Sequence, residues 1–182
     1  LRATEGVTFG ESREQGVARG RNFYHEPLGF AFTAPPSWKV DNDADSLTFL
    51  APDGTAGLII RTLPAKAGTT HEDIIRNAIK PVSGRTEARS LNGLRATHFV
   101  GIRKGEEGQQ ENITTTIVSG PNNINYAFIY AARDAATLGR HRAAMQQTEA
   151  SFRALSGPER ANAQPWTLRL TTYPRGGFAE LA

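Results

Sequence analysis

With 182 residues the chain is long enough for one domain with a real core, and 38% hydrophobic against 21% charged residues excludes both a disordered tail and a membrane protein. The net charge of +3 reflects a small surplus of arginine: Arg13, Arg19 and Arg21 form the nearest basic cluster, but Glu11 and Glu14 lie among them, so nucleic acid is not an expected partner. Cysteine is absent, which removes disulfides, thiolate zinc sites and cysteine nucleophiles, and no stretch approaches the roughly 20 apolar residues of a membrane-spanning helix.

The chain opens on Leu1 without a signal-peptide pattern, so its natural start is expected elsewhere. Residues 1–28, rich in Gly, Arg and Glu, read as an extended lead-in, with the core starting later. From Gly29 the alternation Phe30-Ala31-Phe32-Thr33-Ala34 predicts a half-buried strand that Pro35-Pro36 stops, and Ser37 to Val40 follows as a short extended stretch. Ser46 to Leu50 and Gly57 to Leu63 predict a hairpin around Pro52-Asp53-Gly54. Thr70 is a candidate N-cap for a short amphipathic helix carrying Ile74, Ile75, Ala78 and Ile79, which Pro81 ends.

Three more strands are predicted over Leu94 to Ile102, Asn112 to Val118 and Ile124 to Ala132, and their short connections favour an antiparallel meander. The last run is apolar on both faces, with Tyr126, Phe128 and Tyr130 on one and Ala127, Ile129 and Ala131 on the other, so it should be central and covered on both sides. A long helix is predicted from Asp134, with Leu138, Met145 and Phe152 as a core-facing stripe and Gly157-Pro158 as its terminator. Gln164 to Tyr173 reads as extended, leading into a tail that ends at Ala182. The expected organisation is a lead-in over 1–28, an α+β domain over 29–160 with an antiparallel meander sheet and one short and one long helix packed on it, and an extended tail over 161–182.

Catalysis is sought first at the four histidines, His25, His71, His98 and His141. Two precede a glutamate, as in the HExxH zinc motif, whose second histidine lies one helical turn on so that both imidazoles meet one metal. His71-Glu72-Asp73-Ile74-Ile75 has isoleucine at that position, and His25-Glu26-Pro27-Leu28-Gly29 has glycine there and proline inside the would-be helix. His98 shares a strand face with Leu94, Ala96, Val100 and Ile102, and His141 lies between Leu138 and Met145; both read as hydrogen-bonded core histidines.

Other chemistries fare no better. No Gly-x-Ser-x-Gly elbow occurs, and Ser90-Leu91-Asn92-Gly93 reads as a turn. Gly101, Gly105 and Gly108 surround Lys104, Glu106 and Glu107 without a following Gly-Lys-Ser/Thr, which describes a hairpin loop rather than a phosphate cradle. The pairs Glu106 with Glu107 and Asp43 with Asp45 lie in polar loops as solvated carboxylates, and the sequon Asn112-Ile113-Thr114 falls inside a predicted strand. The expectation is no catalytic, metal or cofactor site in these residues. Trp38, Tyr126, Phe128 and Tyr130 could line a pocket between sheet and helix, although core packing is the plainer reading of a central strand.

Several stretches resemble the region that follows the peptidase domain in bacterial exported zinc metallopeptidases, relatives of the CAAX prenyl protease and HtpX-type enzymes. They are Phe9-Gly10-Glu11-Ser12, Gln15 to Phe23, His25, Pro27 to Pro35 with Trp38, Leu91 to Ala96, and Ala150 to Ser156. The resemblance implies an exported, periplasmic protein whose zinc site lies in a peptidase domain before Leu1, which is then this region's partner together with envelope proteins. It carries no functional residue onto any position here. It also implies a mixed domain similar to PsbP-like folds and a tail, Leu168 to Gly176, resembling the approach to a LysM-type unit, with Gly177-Phe178 where Asp-Thr is expected. The implied function is a non-catalytic accessory domain that shapes access to a zinc-dependent protease or presents its substrates. An independent periplasmic binding module is the alternative, and a free-standing hydrolase lacks any supporting spacing.

Overall fold

The computed structural model describes residues 8–9, 16–163 and 166–167. In chain order its strands are β1 (Thr8–Phe9), β2 (Val17–Arg19), β3 (Asn22–His25), β4 (Phe30–Thr33), β5 (Lys39–Asn42), β6 (Leu47–Leu50), β7 (Ala56–Leu63), β8 (Pro81–Leu91), β9 (Leu94–Lys104), β10 (Gln110–Ser119), β11 (Asn125–Ala132), β12 (Arg153–Ala154) and β13 (Trp166–Thr167). Its helices are α1 (His71–Ile74), continued by a π-helical turn over Ile75–Ile79, α2 (Ala135–Ala150) and α3 (Gly157–Asn162).

Seven strands make one antiparallel sheet in the order β5-β6-β7-β11-β10-β9-β8, four make a second in the order β12-β4-β3-β2, and β1 pairs with β13. The large sheet is two meanders joined through α1. Hairpins run from β5 to β7 and from β8 to β11, and the chain crosses to the far edge between them so that β11 returns beside β7, Phe128 opposite Ile60 and Tyr130 opposite Leu58. The expected α+β meander with one short and one long helix is therefore the observed architecture. Strand β11 occupies the central place that its two apolar faces require.

Pleating separates the two faces of this sheet. Tyr126, Phe128, Val118 and Ala96 point into a cluster with Phe23, Phe30 and Phe32 of the small sheet and Met145 of α2. Ala127, Ile117 and Phe99, one residue out of phase, meet Ile74 and Ile75 of the helical turn. Phe152 closes the first cluster, with its ring centroid 4.9 Å from Phe32 and 5.1 Å from Phe128. The two helices thus lie on opposite faces.

Four expectations are corrected. Residues 17–25, read as part of an extended lead-in, form two strands of the small sheet, where Val17 and Phe23 are fully buried; strands this short bury one or two large residues each and leave no periodic signal. Strand β8 was read only as the end of a helix and a turn, because its residues are nearly all exposed and show no apolar alternation; Pro81 is tolerated there as the first residue of an edge strand. The long helix ends at Ala150, not at Gly157-Pro158, which instead open α3 behind a Ser156–Glu159 capping box, Pro158 lying in the first turn where no amide donor is needed. The expected extended tail over 161–182 begins instead with the end of α3 at Ala161 and Asn162, and Trp166–Thr167 form a strand; the resemblance to a LysM-type approach at 168–176 lies outside the described residues.

What stops α2 is visible at the β8–β9 turn. Asn92 and Gly93 take φ values of 49° and 84°, the left-handed pair that a two-residue hairpin needs. From that position the Asn92 amide donates to the carbonyls of Ala150 and Phe152 at 2.9 and 2.8 Å, satisfying acceptors at the helix end. Ser151 then accepts from Thr33 N–H at 2.8 Å and ties the same point to β4. Replacing Asn92 with alanine removes both bonds and places a Cβ-bearing residue without a polar side chain at positive φ, so Asn92→Ala should cost about 2–3 kcal/mol in urea unfolding. Asn92→Gly, which keeps the left-handed turn conformation but also loses both bonds, should cost less than the alanine variant.

Candidate functional site

The four histidines are placed apart and each has a structural occupation. His25 ends β3, and the following residues turn back on it, with Gly29 N–H donating to the His25 carbonyl at 2.8 Å, so no helix forms across the failed zinc motif. Its Nδ1 accepts from Leu28 N–H at 3.3 Å, which leaves the proton of a neutral ring on Nε2, and burial holds its pKa below the ordinary value. His71 opens α1 and is buried, its Nδ1 2.8 Å from Thr97 Oγ1 and its Nε2 2.9 Å from Ser119 Oγ, so it bolts the helix to the sheet. Ile75, the residue in place of a second zinc ligand, packs in the core beneath. His141 departs from the expected core position. It lies half-exposed at the edge of α2, 3.3 Å from Asp53 Oδ2, with its ring edge-on to Trp38 at 5.8 Å.

His98 is the core histidine that was expected, but its surroundings were not foreseen. Glu149, only 2% exposed, enters the interface between α2 and the sheet, and its Oε2 accepts from Thr116 Oγ1 at 2.8 Å and Tyr130 Oη at 2.7 Å. The Thr116 hydroxyl has one proton and spends it on Glu149, so His98 Nδ1, 2.8 Å from the same oxygen, is the donor to it. Arg89 from the edge strand places a guanidinium nitrogen 3.7 Å from Glu149 Oε1. Burial raises the Glu149 and Tyr130 pKa values and presses His98 down to about 4, with the nearby Arg89 charge adding to that depression.

These residue types occur in hydrolases, yet the order is wrong for acyl transfer. A nucleophile needs the imidazole between hydroxyl and carboxylate, whereas here the hydroxyl lies between the other two, and Thr116 has no exposed surface at all. The network is a closed structural one that holds α2 on the sheet. Its sequence signal was available: Glu149 follows Met145 by four, which puts an acid on the buried stripe of the helix.

Among the described residues, no group of three His, Cys, Asp or Glu side chains is placed to hold a metal ion, so the donor set does not fit zinc.

A cleft of about 390 Å³ opens between the two sheets. Phe30, Leu47 and Ile60 give it an apolar floor, Asp43 and Asp45 stand on the β5–β6 turn, and His25, Arg61 and Tyr126 complete its walls. Tyr126 is 1% exposed, and its hydroxyl has no hydrogen-bond partner among the described residues. Burial pushes its pKa upward, so the phenol stays a neutral donor. Of the four aromatic residues considered for a pocket, only Tyr126 reaches this cleft. Phe128 packs in the aromatic cluster, Tyr130 serves Glu149, and Trp38 lies against His141. Asp43 and Asp45, read as solvated loop acids, are at its mouth; Arg61 carried no sequence signal, because it is the exposed position of an otherwise apolar strand.

No protein-family model and no curated protein matches the chain. Among solved structures the chain is similar to a protein from Bacteroides thetaiotaomicron, at 18% identity over 78% of this chain and 50% of that one, with a TM-score of 0.45. It is also similar to the cyanobacterial PsbP (CyanoP) of Synechocystis, at 12% identity over 77% of this chain and 98% of that one, with a TM-score of 0.47. The chain thus spans about half the length of the first of these.

Two measurements test this description. Tyr126→Phe deletes a buried hydroxyl that bonds to nothing and should leave stability unchanged or raise it by up to about 1 kcal/mol, while Tyr130→Phe takes a donor from a buried carboxylate and should cost about 1–3 kcal/mol. The second is pH. His25, His71 and His98 have folded pKa values below their unfolded 6.5, so the unfolded chain gains protons first and stability falls as pH drops from about 6.5 toward 4. Glu149, whose pKa is raised, acts in the opposite sense. Replacing His98 with glutamine should therefore flatten the slope of unfolding free energy against pH in that window, and an unchanged slope would contradict the assignment.

Proposed function

We propose that this domain works by binding, as a non-catalytic accessory module of an exported, periplasmic zinc metallopeptidase, with the cleft between its sheets as the binding site. One observation carries the binding half of this reading: the cleft of about 390 Å³ between the sheets, which Phe30, Leu47 and Ile60 line together with His25, Asp43 and Asp45. The cleft has the dimensions and mixed lining of a small-ligand site, with an apolar floor and a few convergent polar groups. Against catalysis stands the employment of the buried titratable groups, since Tyr130 and Thr116 both donate to Glu149 and His98 bonds to Thr116 within the core.

The peptidase half rests on the resemblance of residues 9–38, 91–96 and 150–156 to the region that follows the catalytic domain in those enzymes. Zinc would be held by that separate domain, and the present one would shape access to it or present protein substrates. An independent periplasmic binding module would use the same cleft without such a neighbour. The two readings separate on the coding sequence upstream of Leu1, where an HExxH segment on an exported chain is expected and its absence would remove the peptidase role. Binding is tested by thermal unfolding in the presence of short synthetic peptides and peptidoglycan fragments. A ligand at about 100 times its Kd should stabilise the domain by about 2.7 kcal/mol, and no stabilisation by any member of either set would sink the binding role.

A further inference from the structure

We propose that a second copy of this chain adds to the free edge of β8, antiparallel and about a two-fold axis at Thr86, so that two seven-stranded sheets become one continuous sheet. Strand β8 is the last of its sheet, and its outer edge has no partner strand among the described residues. It runs over 11 residues, of which all but Pro81, Arg89 and Leu91 are exposed. Helix α2 packs over β7 and β11 and α1 over β10, so neither covers β8 along its length. An unpaired edge presents alternate N–H and C=O groups to water and is a template for another strand. Pro81 and the irregularity that follows it blunt only the start of this edge, where Val82 is the large hydrophobic residue left exposed among the described residues. From Ser83 to Leu91 the ladder with β9 is unbroken, so the outer side is regular as well.

The side chains select the occupant. Identical antiparallel strands related by a two-fold axis pair symmetrically about one central residue, so only a few registers exist. With Thr86 at the centre, Arg85 of each copy faces Glu87 of the other, Gly84 faces Ala88, and Ser83 faces Arg89. Centring on Arg85 sets that arginine against itself, and centring on Glu87 sets Glu87 against itself and Arg85 against Arg89. Like charges directly opposite are destabilising. Centring on Ala88 draws on Arg89, which is already shared between Glu87 and Glu149 of its own chain. Arg85, in contrast, has no ion-pair partner among the described residues. The other face of the strand carries Gly84, Thr86, Ala88 and Ser90, small enough for a partner strand to lie alongside. A single added strand, at most about 37 Å long, lies below the roughly 800 Å² per partner of a standard stable complex. The dimer is therefore a weak one that forms as concentration rises.

Sedimentation velocity of the 182-residue chain, from low to high micromolar concentration, tests this. The parent should pass reversibly from monomer to dimer. Arg85→Glu and Glu87→Arg should each weaken dimerisation about tenfold or more, since each turns two attractive cross-strand pairs into two repulsive ones. Mixing the two single variants should restore a dimer, because each chain then supplies the charge that the other lacks. A chain carrying both substitutions should dimerise like the parent. Both residues are exposed, so the variants retain the fold, and recovery in the mixture reports that directly. A parent that stays monomeric at every concentration overturns the inference. So does a dimer that survives either single variant unchanged, or a mixture that fails to recover one. Arg85 and Glu87 lie at the opposite edge of the large sheet from the cleft, so none of these outcomes bears on the binding role.

Discussion

Burial of β11 on both faces is the constraint from which the rest of the arrangement follows. A strand apolar on alternate residues of both parities cannot face water on either side, so it must lie inside a sheet and carry cover above and below. Here it lies fourth of seven strands, with the π-helical turn after α1 on one face and the small sheet and α2 on the other. The crossover after β7 makes this possible: by sending the chain to the far edge before the second meander begins, it brings β11 back to close the gap beside β7.

The cover on the aromatic side is held by polar as well as apolar contacts. Helix α2 presents Met145, Thr148 and Glu149 to the sheet, so a potential charge is carried into the interface along with the apolar stripe. A carboxylate in that position is tolerable only when its oxygens are satisfied, and Thr116, Tyr130 and Arg89 come from three different strands to do it. The network therefore fixes the azimuth of the helix, while Asn92 and Ser151 fix its end. Both devices are specific to one packing and would be unsatisfied in any other. The hydroxyl of Thr116 and that of Tyr130 are both spent on Glu149, and His98 Nδ1 on Thr116.

The cleft has the opposite character. Where the small sheet leans on β6 and β7, the aromatic cluster does not extend to the β5–β6 turn, and one hydroxyl of the core, that of Tyr126, is left without an acceptor. Glu149 is engaged by partners from three strands, whereas the Tyr126 hydroxyl is a buried donor without a partner among the described residues.

Much of the large sheet was legible from the chain alone. Alternation in Leu94 to Ile102 and Tyr126 to Ala132, the turn residues at Pro52-Asp53-Gly54 and Asn92-Gly93, the cap Thr70 and the helix start at Asp134 each report local geometry, and each of these features formed where it was expected. Elements without such a local signature were lost: β8 is an exposed edge, β2 and β3 bury single residues, and the end of α2 is set by a side chain 58 positions away. The failed zinc motifs at His25 and His71 could be judged in sequence because ligand spacing on a helix is local. The meeting of Glu149 with Thr116, 33 residues apart, and the gathering of His25 and Phe30 of the small sheet with Leu47 and Tyr126 of the large one around a cleft could not, because those arrangements exist only once the sheets are packed. The sequence by itself determined the strongly patterned strands and helices and which catalytic motifs are broken; the tertiary structure alone decided where the unpatterned strands form and which polar groups are satisfied, because satisfaction depends on partners that only folding brings within hydrogen-bond reach.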